Sequence, residues 1–255
     1  MLHKMKLNEK PFNAMKVGYK SIEFRLFDEK RQRLNIGDSI EFSLIGDESK
    51  TIVKKISDIH HFKNFEELFS TLPLLKCGET PFTFREARAE DMEKFYSKQQ
   101  QEKYSVIGIE FEEIPLQRFL AGHSGGIPLC SGYETAFGEI RSGLKKSHWI
   151  WYVFPQIKGL TSDTVTEYYA LDDRNEAEMF FNHPVLGKRL TEISSALLEL
   201  DTCDPVSVFG LVDACKLRSC MTLFSEISGE KVFDDVLGKF CLGIKDEKTL
   251  ELLNL

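Results

Sequence analysis

Apolar and polar positions alternate with a period near two through the first 114 residues. "KMKL", "SIEFRLF", "DSIEFSLI", "TIVKKISDIHHF" and "YSVIGIEFEEI" are short runs rich in Ile, Val, Phe and Thr, separated by Gly, Asp and Asn turns. Such runs predict β-strands. Three stretches interrupt them with helical spacing, "EKPFNAMKVG", "NFEELFSTL" and "AEDMEKFYSKQQQEK". The mixture predicts a small curled barrel with a few decorating helices. Beyond Ile114 the apolar period lengthens to about 3.6. Ser131 and Glu134, three residues apart, form a capping box ahead of a stripe of Phe137, Ile140 and Leu144. Pro184 occupies a first helical position before Leu186, Leu190, Ile193 and Leu197, and Asp204-Pro205 and Asp246 mark two further starts. About six helices are expected from these signals.

The fold class read from this pattern is α+β in two domains. A barrel domain spans 1–114, a linker or mobile loop with a first short helix spans 115–132, and an all-α domain spans 133–255. The linker rests on the Gly, Pro and Ser content of "PLQRFLAGHSGGIPLCSG". At 42% hydrophobic residues the 255-residue chain has material for real cores.

Charge sharpens the division. The net charge is −7, yet the first 55 residues carry 12 basic against 8 acidic side chains, while residues 116–255 carry 14 against 20. A nucleic-acid or phosphate partner therefore fits the first half better. The six cysteines form no CxxC pair, which argues for reduced thiols in a cytoplasmic protein. The longest apolar run, Trp149 to Phe154, is far too short to span a bilayer, so no membrane association is expected. No cofactor or metal is called for: His60 and His61 are adjacent on a strand and point to opposite faces.

Candidate chemistry concentrates in "GYKSIEFRLFDEKR", Gly18 to Arg31. Alternation sends Ile22, Phe24 and Leu26 to the core and Ser21, Glu23 and Arg25 to the other side. Two readings stay open. Glu23 and Arg25 form a solvated ion pair contributing ~0.2–1 kcal/mol, or Lys20 and Arg25 around a carboxylate hold a phosphate or polarise an amide carbonyl while Glu23 handles protons. "DEKRQR" is a solvated turn that adds Lys30, Arg31 and Arg33 to phosphate contacts where it borders a cleft. In the second half, His148, Trp149, Trp151 and Gln156 read first as a core segment and otherwise as an aromatic slot with His148 and Gln156 at its mouth. His183, Arg189 and Lys216 are further polar residues embedded in apolar helices. Lys216 stands three residues before Ser219 in nucleophile–base spacing, but an Asp213–Lys216 ion pair is the preferred reading.

Two resemblances cover the chain. "MKLNEKPFNAMKVGYKSIEFRLFDEKRQRLNIGDSIEF" and the closing "EKYSVIGIEFE" resemble the ASCH domain of the PUA-like superfamily, through a G-x-K-[ST]-x-E-x-R strand and a G-D-x-I-x-F that follows, over roughly residues 3–113. The resemblance implies a β-barrel with a cleft facing this strand and an association with RNA. One branch of the family hydrolyses the acetyl amide of N4-acetylcytidine with a lysine, a threonine and a glutamate. Lys20 matches the lysine and Arg25 an arginine of the motif, Glu23 stands where that branch has its threonine, and the distal glutamate falls among Glu79, Glu90 and Glu93. The second half, with "HWIWYVFPQIKGL", "EAEMFFNHPVLGKRL" and "VFGLVDACKLRSCMTLF", is similar to the bacterial domain-of-unknown-function family 1810, an all-helical fold, over roughly residues 116–255. "GLTSD" lacks the second glycine usual after G-L in that family.

The expectation is binding of RNA, a nucleotide or a modified nucleoside through Lys20, Glu23, Arg25 and Arg31, beside a helical domain whose candidates are His148, Trp151, Gln156, His183, Arg189 and Lys216. As catalytic groups, Lys20 would neutralise an oxyanion and Glu23 act as base, with Arg25 orienting Glu23. The alternatives are an amidohydrolase acting on an acylated nucleoside and a non-catalytic interaction scaffold.

Overall fold

The computed structural model describes residues 1–254. The chain divides into two compact units, one spanning residues 1–117 and a second beginning at Arg118.

In the first unit each alternating stretch becomes a strand: β1 (Leu2–Leu7), β2 (Ile22–Leu26), β3 (Ser39–Leu44), β4 (Asp47–Phe62) and β5 (Val106–Phe111). Three helices accompany them, α1 (Glu9–Val17), α2 (Phe65–Thr71) and α3 (Lys98–Tyr104). The sheet order is β1-β3-β4-β5-β2. β1 runs parallel to β3, and the other neighbours are antiparallel. The long β4 serves two partners: residues up to Lys55 pair with β3, and those from Ile56 pair with β5, with a register irregularity between Ile56 and Asp58. A bulge of this kind lets one strand bend from one half of a curled sheet into the other.

The expected barrel is not closed. Among the described residues no ladder joins β1 to β2; instead Arg25 of β2 donates Nη2 to the Lys6 carbonyl of β1 at 3.1 Å. A side chain spans the seam where a ladder would have closed it. Inside, Ile40, Phe42, Ile56, Ile109 and Phe111 pack against Phe12 and Met15 of α1, and a smaller cluster of Leu26, Phe65, Leu68 and Val106 lies under α2. Gly18 ends α1 at φ 101°, its amide returning to the Ala14 carbonyl at 3.0 Å, and only this left-handed turn delivers the chain into β2. The helix expected over "AEDMEKFYSKQQQEK" is broken. Ala89–Lys94 is 3₁₀, and Ser97 with Gln100 makes a capping box that restarts the chain as α3.

The second unit is helical: α4 (Gln117–His123), α5 (Tyr133–Arg141), α6 (Ile150–Val153), α7 (Thr164–Tyr168), α8 (Arg174–Asn182), α9 (Leu186–Leu198), α10 (Pro205–Phe209), α11 (Leu211–Ser228), α12 (Lys231–Cys241) and α13 (Glu247–Leu252). These ten described helices exceed the six expected because α6, α7 and α10 are pieces of four or five residues, too short to develop an apolar stripe. Asp204 and Asp246 cap α10 and α13 as read, accepting from Val206 N and Thr249 N.

Two starts are corrected. Gly132, not Ser131, is the N-cap of α5, because the Ser131 backbone is engaged elsewhere: its carbonyl accepts from Tyr152 Oη at 2.7 Å and its amide donates to the His148 carbonyl. Leu144 accordingly lies past the end of that helix and is 46% exposed. Pro184 does not open α9. Val185 is its N-cap, and His183, two residues earlier, braces the turn with Nδ1 accepting from Val185 N and Leu186 N at 3.2 and 3.3 Å.

The aromatic segment is core: Trp149, Tyr152 and Phe154 are fully buried together with Phe180, Phe224 and Phe233. One carboxylate holds it in register. Glu139 accepts from Trp149 Nε1 (2.8 Å), Ser147 Oγ (2.6 Å), Lys146 N (2.8 Å) and Ser147 N (3.1 Å). Burial opposes its charge, but these four donors outweigh burial and hold the carboxyl below its ordinary range. Replacing Glu139 with alanine strands those donors, and a loss of about 2–3 kcal/mol is expected in the helical unit. Urea unfolding followed by tryptophan emission checks this, since Trp149 and Trp151 both lie in this unit.

Candidate functional site

The first unit holds a cleft of about 1200 Å³ running along the open seam between β1 and β2. Its lining includes nine lysines and arginines against five carboxylates, so it is cationic in a chain that is anionic overall.

Lys20, Glu23 and Arg25 share this cleft. The polar side of β2 is not solvated: Lys20 and Glu23 are only 5% and 4% exposed. Glu23 sits between two cations, its Oε1 2.6 Å from Arg25 Nη1 and its Oε2 3.3 Å from Lys20 Nζ. Lys20 also donates to the Ile22 carbonyl at 2.6 Å and the Cys77 carbonyl at 2.5 Å. The ammonium has three protons and the protein supplies three acceptors. Gly78 permits this approach: it stands at φ 99°, and a Cβ there would lie 3.1 Å from Lys20 Cδ.

Arg25 is the junction of the site. Nη1 reaches Glu23, the Phe24 carbonyl and Tyr96 Oη, and Nη2 reaches the Lys6 carbonyl. Burial works against its charge, but Glu23 and Tyr96 more than offset that and raise the guanidinium above its ordinary range. Cys77 also lines the cleft, but burial pushes its thiol up to about 12, so it is no thiolate nucleophile at neutral pH. Glu23, in contrast, has one cation on each oxygen, which leaves a carboxylate acceptor capacity for a ligand N–H or O–H.

The other first-unit candidates separate. Arg31 lines the cleft and is tied by Nη1 to Asp28 Oδ2 at 2.7 Å, with Lys30 beside it. Of the three glutamates, Glu79 is in the lining, accepting from Thr83 Oγ1 at 2.5 Å, whereas Glu93 pairs with Lys98 and, with Glu90, lies outside the lining. His60 is bound to Glu110 at 2.8 Å, and His61 packs edge-on against Phe27. Among the described residues no group of three His, Cys, Asp or Glu is placed to hold a metal ion.

Sequence reading missed two walls of this cleft. Lys4, Lys6 and Lys10 form part of one, signalled only by the basic excess of the first 55 residues. Met92, Phe95 and Tyr96 form part of the other, hidden inside a stretch that reads as continuous helix.

The helical candidates do not gather around one centre. His183 braces the turn before α9, its Nδ1 accepting from Val185 N, and the Gln156 carbonyl accepts from Leu171 N at 2.8 Å. Lys216 Nζ is 3.0 Å from Asp213, which also takes Lys145 at 2.9 Å, and it lies 5.4 Å above the Trp151 ring, which stacks in turn with His148. Ser219 Oγ donates to the Cys215 carbonyl. Arg189 covers the Tyr133 ring at 4.5 Å, and His123, which sequence reading did not single out, stacks on Tyr133 at 5.6 Å. His123 is 4% exposed, with Nε2 2.8 Å from the Tyr152 carbonyl.

Arg25→Ala leaves Glu23 buried with Oε1 unpaired and Lys20 as its one remaining cation, and a cost of about 3–5 kcal/mol is expected, whereas the triple variant Lys20→Met, Glu23→Leu, Arg25→Met recovers most of it; circular dichroism during urea unfolding separates the two. Burial, aided by Arg189 and His183, lowers the His123 pKa from 6.5 to about 4. Below pH 6.5 the unfolded chain takes a proton that the folded one refuses, so stability falls as pH drops from 6.5 towards 4, by up to about 3 kcal/mol. In His123→Phe this slope disappears from a tryptophan-monitored titration of unfolding.

The geometry can be set beside known proteins. ASCH domain matches residues 5–115, and Protein of unknown function (DUF1810) matches residues 113–253. The conserved hypothetical protein Rv1873 from Mycobacterium tuberculosis is 33% identical with a TM-score of 0.51, over 55% of this chain and 96% of its own. Hypothetical protein PH0355 is 30% identical over 45% of this chain and 100% of its own, TM-score 0.39, and protein PF0455 from Pyrococcus furiosus 27% identical over 44% and 96%, TM-score 0.35. No curated protein matches the chain. At the family level the ASCH domain points to RNA or nucleotide binding. The chain belongs to the family Protein of unknown function (DUF1810), here preceded by an ASCH domain.

Proposed function

We propose that the first unit binds a nucleotide, a modified nucleoside or RNA in the seam cleft, with Lys20, Glu23, Arg25 and Arg31 as its contact residues. The observation that carries this reading is a cationic cleft with a buried carboxylate at its floor. The basic excess favours a phosphate-bearing ligand, Glu23 offers acceptor capacity for a base N–H, and Phe24, Phe69 and Tyr96 supply aromatic surface. Arg25 aligns Glu23 through the 2.6 Å contact.

Amide hydrolysis is the weaker reading. Catalysis by Lys20 needs a proton directed at the developing oxyanion, and its three protons already have acceptors in the Ile22 and Cys77 carbonyls and Glu23. Glu23 itself is engaged by two cations rather than by a group that would relay its proton.

Calorimetric titration of the full chain with cytidine, cytidine monophosphate and a short RNA tests the proposal. Binding of at least one is expected, weakening with salt. Arg25→Lys, which keeps the charge and loses the fork, is expected to reduce affinity about tenfold or more, with thermal melting run alongside to exclude unfolding. Unchanged affinity in a folded Arg25→Lys protein counts against the site. Acetate release from N4-acetylcytidine above that of a Lys20→Ala control would replace binding with hydrolysis.

A further inference from the structure

We infer that the helical unit holds a ligand site of its own at His123, where Nδ1 takes a hydroxyl proton from a neutral sugar or a sugar-bearing molecule admitted by the loop of residues 124–132. The inference is independent of the reading of the seam cleft.

A missing proton is the first observation. His123 Nε2 lies 2.8 Å from the Tyr152 carbonyl, which only accepts, so the ring proton is on Nε2 and Nδ1 is a bare acceptor. Among the described residues nothing donates to Nδ1, although His123 is only 4% exposed. Buried acceptors are rarely left this way, because desolvation without a hydrogen bond is costly. The neighbouring hydroxyls have no proton to spare. Tyr133 Oη donates to Glu192 at 2.7 Å, Tyr152 Oη to the Ser131 carbonyl at 2.7 Å and Ser124 Oγ to the Ala121 carbonyl at 2.7 Å. The donor for Nδ1 therefore comes with a molecule from outside the chain.

Charge narrows the chemistry of that molecule. Beside Tyr133, on which His123 stacks, act Glu192, Arg189 and Glu134, two carboxylates against one cation. Such surroundings do not favour an anion. A cationic donor meets Arg189, which together with burial and His183 already holds the His123 pKa down at about 4. A neutral hydroxyl satisfies both conditions, since it donates once and accepts as well. Arg189 has donors to offer it: its guanidinium reaches Glu134 only at 3.5 Å, and that carboxylate side chain is 85% exposed. One acceptor in Nδ1, a guanidinium and two carboxylates form the set that adjacent hydroxyls on a sugar ring complete.

The loop that follows His123 provides for something larger than water. His123 ends α4, and "SGGIPLCSG" then leaves and returns through a closed neck: a Cβ on Gly132 would lie 2.9 Å from Gly125 N and 3.2 Å from the His123 carbonyl oxygen. Ile127 and Cys130 are its buried anchors. Between them Leu129 stands at φ 64° with 71% of its surface exposed, a left-handed leucine whose side chain gains no packing in return. A loop with a glycine neck, two anchors and a strained tip lifts as one piece, and its neck rests on the residue whose Nδ1 lacks a donor.

Calorimetric titration of the full chain with ribose, glucose and adenosine tests this, run beside nitrogen NMR of protein carrying isotope-labelled histidine. At least one probe is expected to bind and to move the His123 Nδ1 resonance upfield, as a ring nitrogen does on accepting a hydrogen bond. A response to ribose or glucose identifies a free sugar, and a response to adenosine alone identifies a nucleoside. Arg189→Ala is expected to weaken binding about tenfold. His123→Phe keeps a ring beside Tyr133 without the acceptor and is expected to abolish binding, while His123→Gln restores an acceptor and recovers part of it. Should His123→Phe fail to fold, the Nδ1 resonance of the unaltered chain and the Arg189→Ala affinity decide. An Nδ1 resonance that no probe moves, or unchanged affinity in a folded Arg189→Ala or His123→Phe protein, overturns the inference and leaves water as the partner of Nδ1. Because the readout is at His123, that failure leaves the reading of the seam cleft untouched.

Discussion

The first unit depends on how one buried carboxylate is held. Glu23 is 4% exposed, and an isolated ionised carboxylate in such a place is prohibitively expensive. Its neutralisation by Arg25 on one oxygen and Lys20 on the other makes the place tolerable, and each cation brings further structure with it. Lys20 is drawn to the Cys77 carbonyl, which fixes the loop through Gly78 and Glu79. Arg25 is drawn to the Lys6 carbonyl, which fixes the edge of β1. A cluster that looks local in sequence thus organises both borders of the cleft and takes the role a closing β1–β2 ladder would have had.

Much of this architecture is legible in the chain. Period two locates β3, which buries alternate positions, whereas β2 and β5 are covered on both faces and are found by their Ile, Val and Phe content between turn residues. Asp204 and Asp246 announce helix starts because a cap is a local contract between a side chain and an amide two or three residues on. The failures are of a different kind. Ser131 meets the capping pattern, but tertiary contacts to Tyr152 and His148 claim its backbone. His183 reads as chemistry, whereas its Nδ1 takes the Val185 and Leu186 amides in the turn ahead of α9. Local patterns state what a residue is able to do, and long-range partners decide which of its options is used.

The site divides along the same line. Lys20, Glu23 and Arg25 lie within six positions on one motif, so their proximity follows from the chain itself. The partners that give them meaning come from far away: Cys77 is 57 residues from Lys20, and Tyr96 is 71 from Arg25. Periodicity carries no information about such encounters. Phe95 and Tyr96 are absorbed into an apparent helix because the run from Ala89 onward has helical composition, whereas they form the turn between the 3₁₀ helix and the restart at Ser97, and that turn lines the cleft.

The helical unit solves an analogous problem with the opposite outcome. There too a carboxylate, Glu139, is surrounded by donors, and there too lysines lie over aromatic rings, Lys145 over Trp149 and Lys216 over Trp151. Yet its donors are Trp149 Nε1, Ser147 Oγ and two backbone amides, and every one of them tightens the unit's own packing. Asp213 likewise divides its charge between two lysines of the same unit. The difference from Glu23 is in what remains unused. Glu139 takes four hydrogen bonds, close to the full capacity of a carboxylate, whereas Glu23 takes a single cation on each oxygen and lines an open cleft. Residual hydrogen-bonding capacity in a cationic cavity, rather than the mere presence of embedded charge, is what distinguishes a place for a ligand from a place that holds the fold.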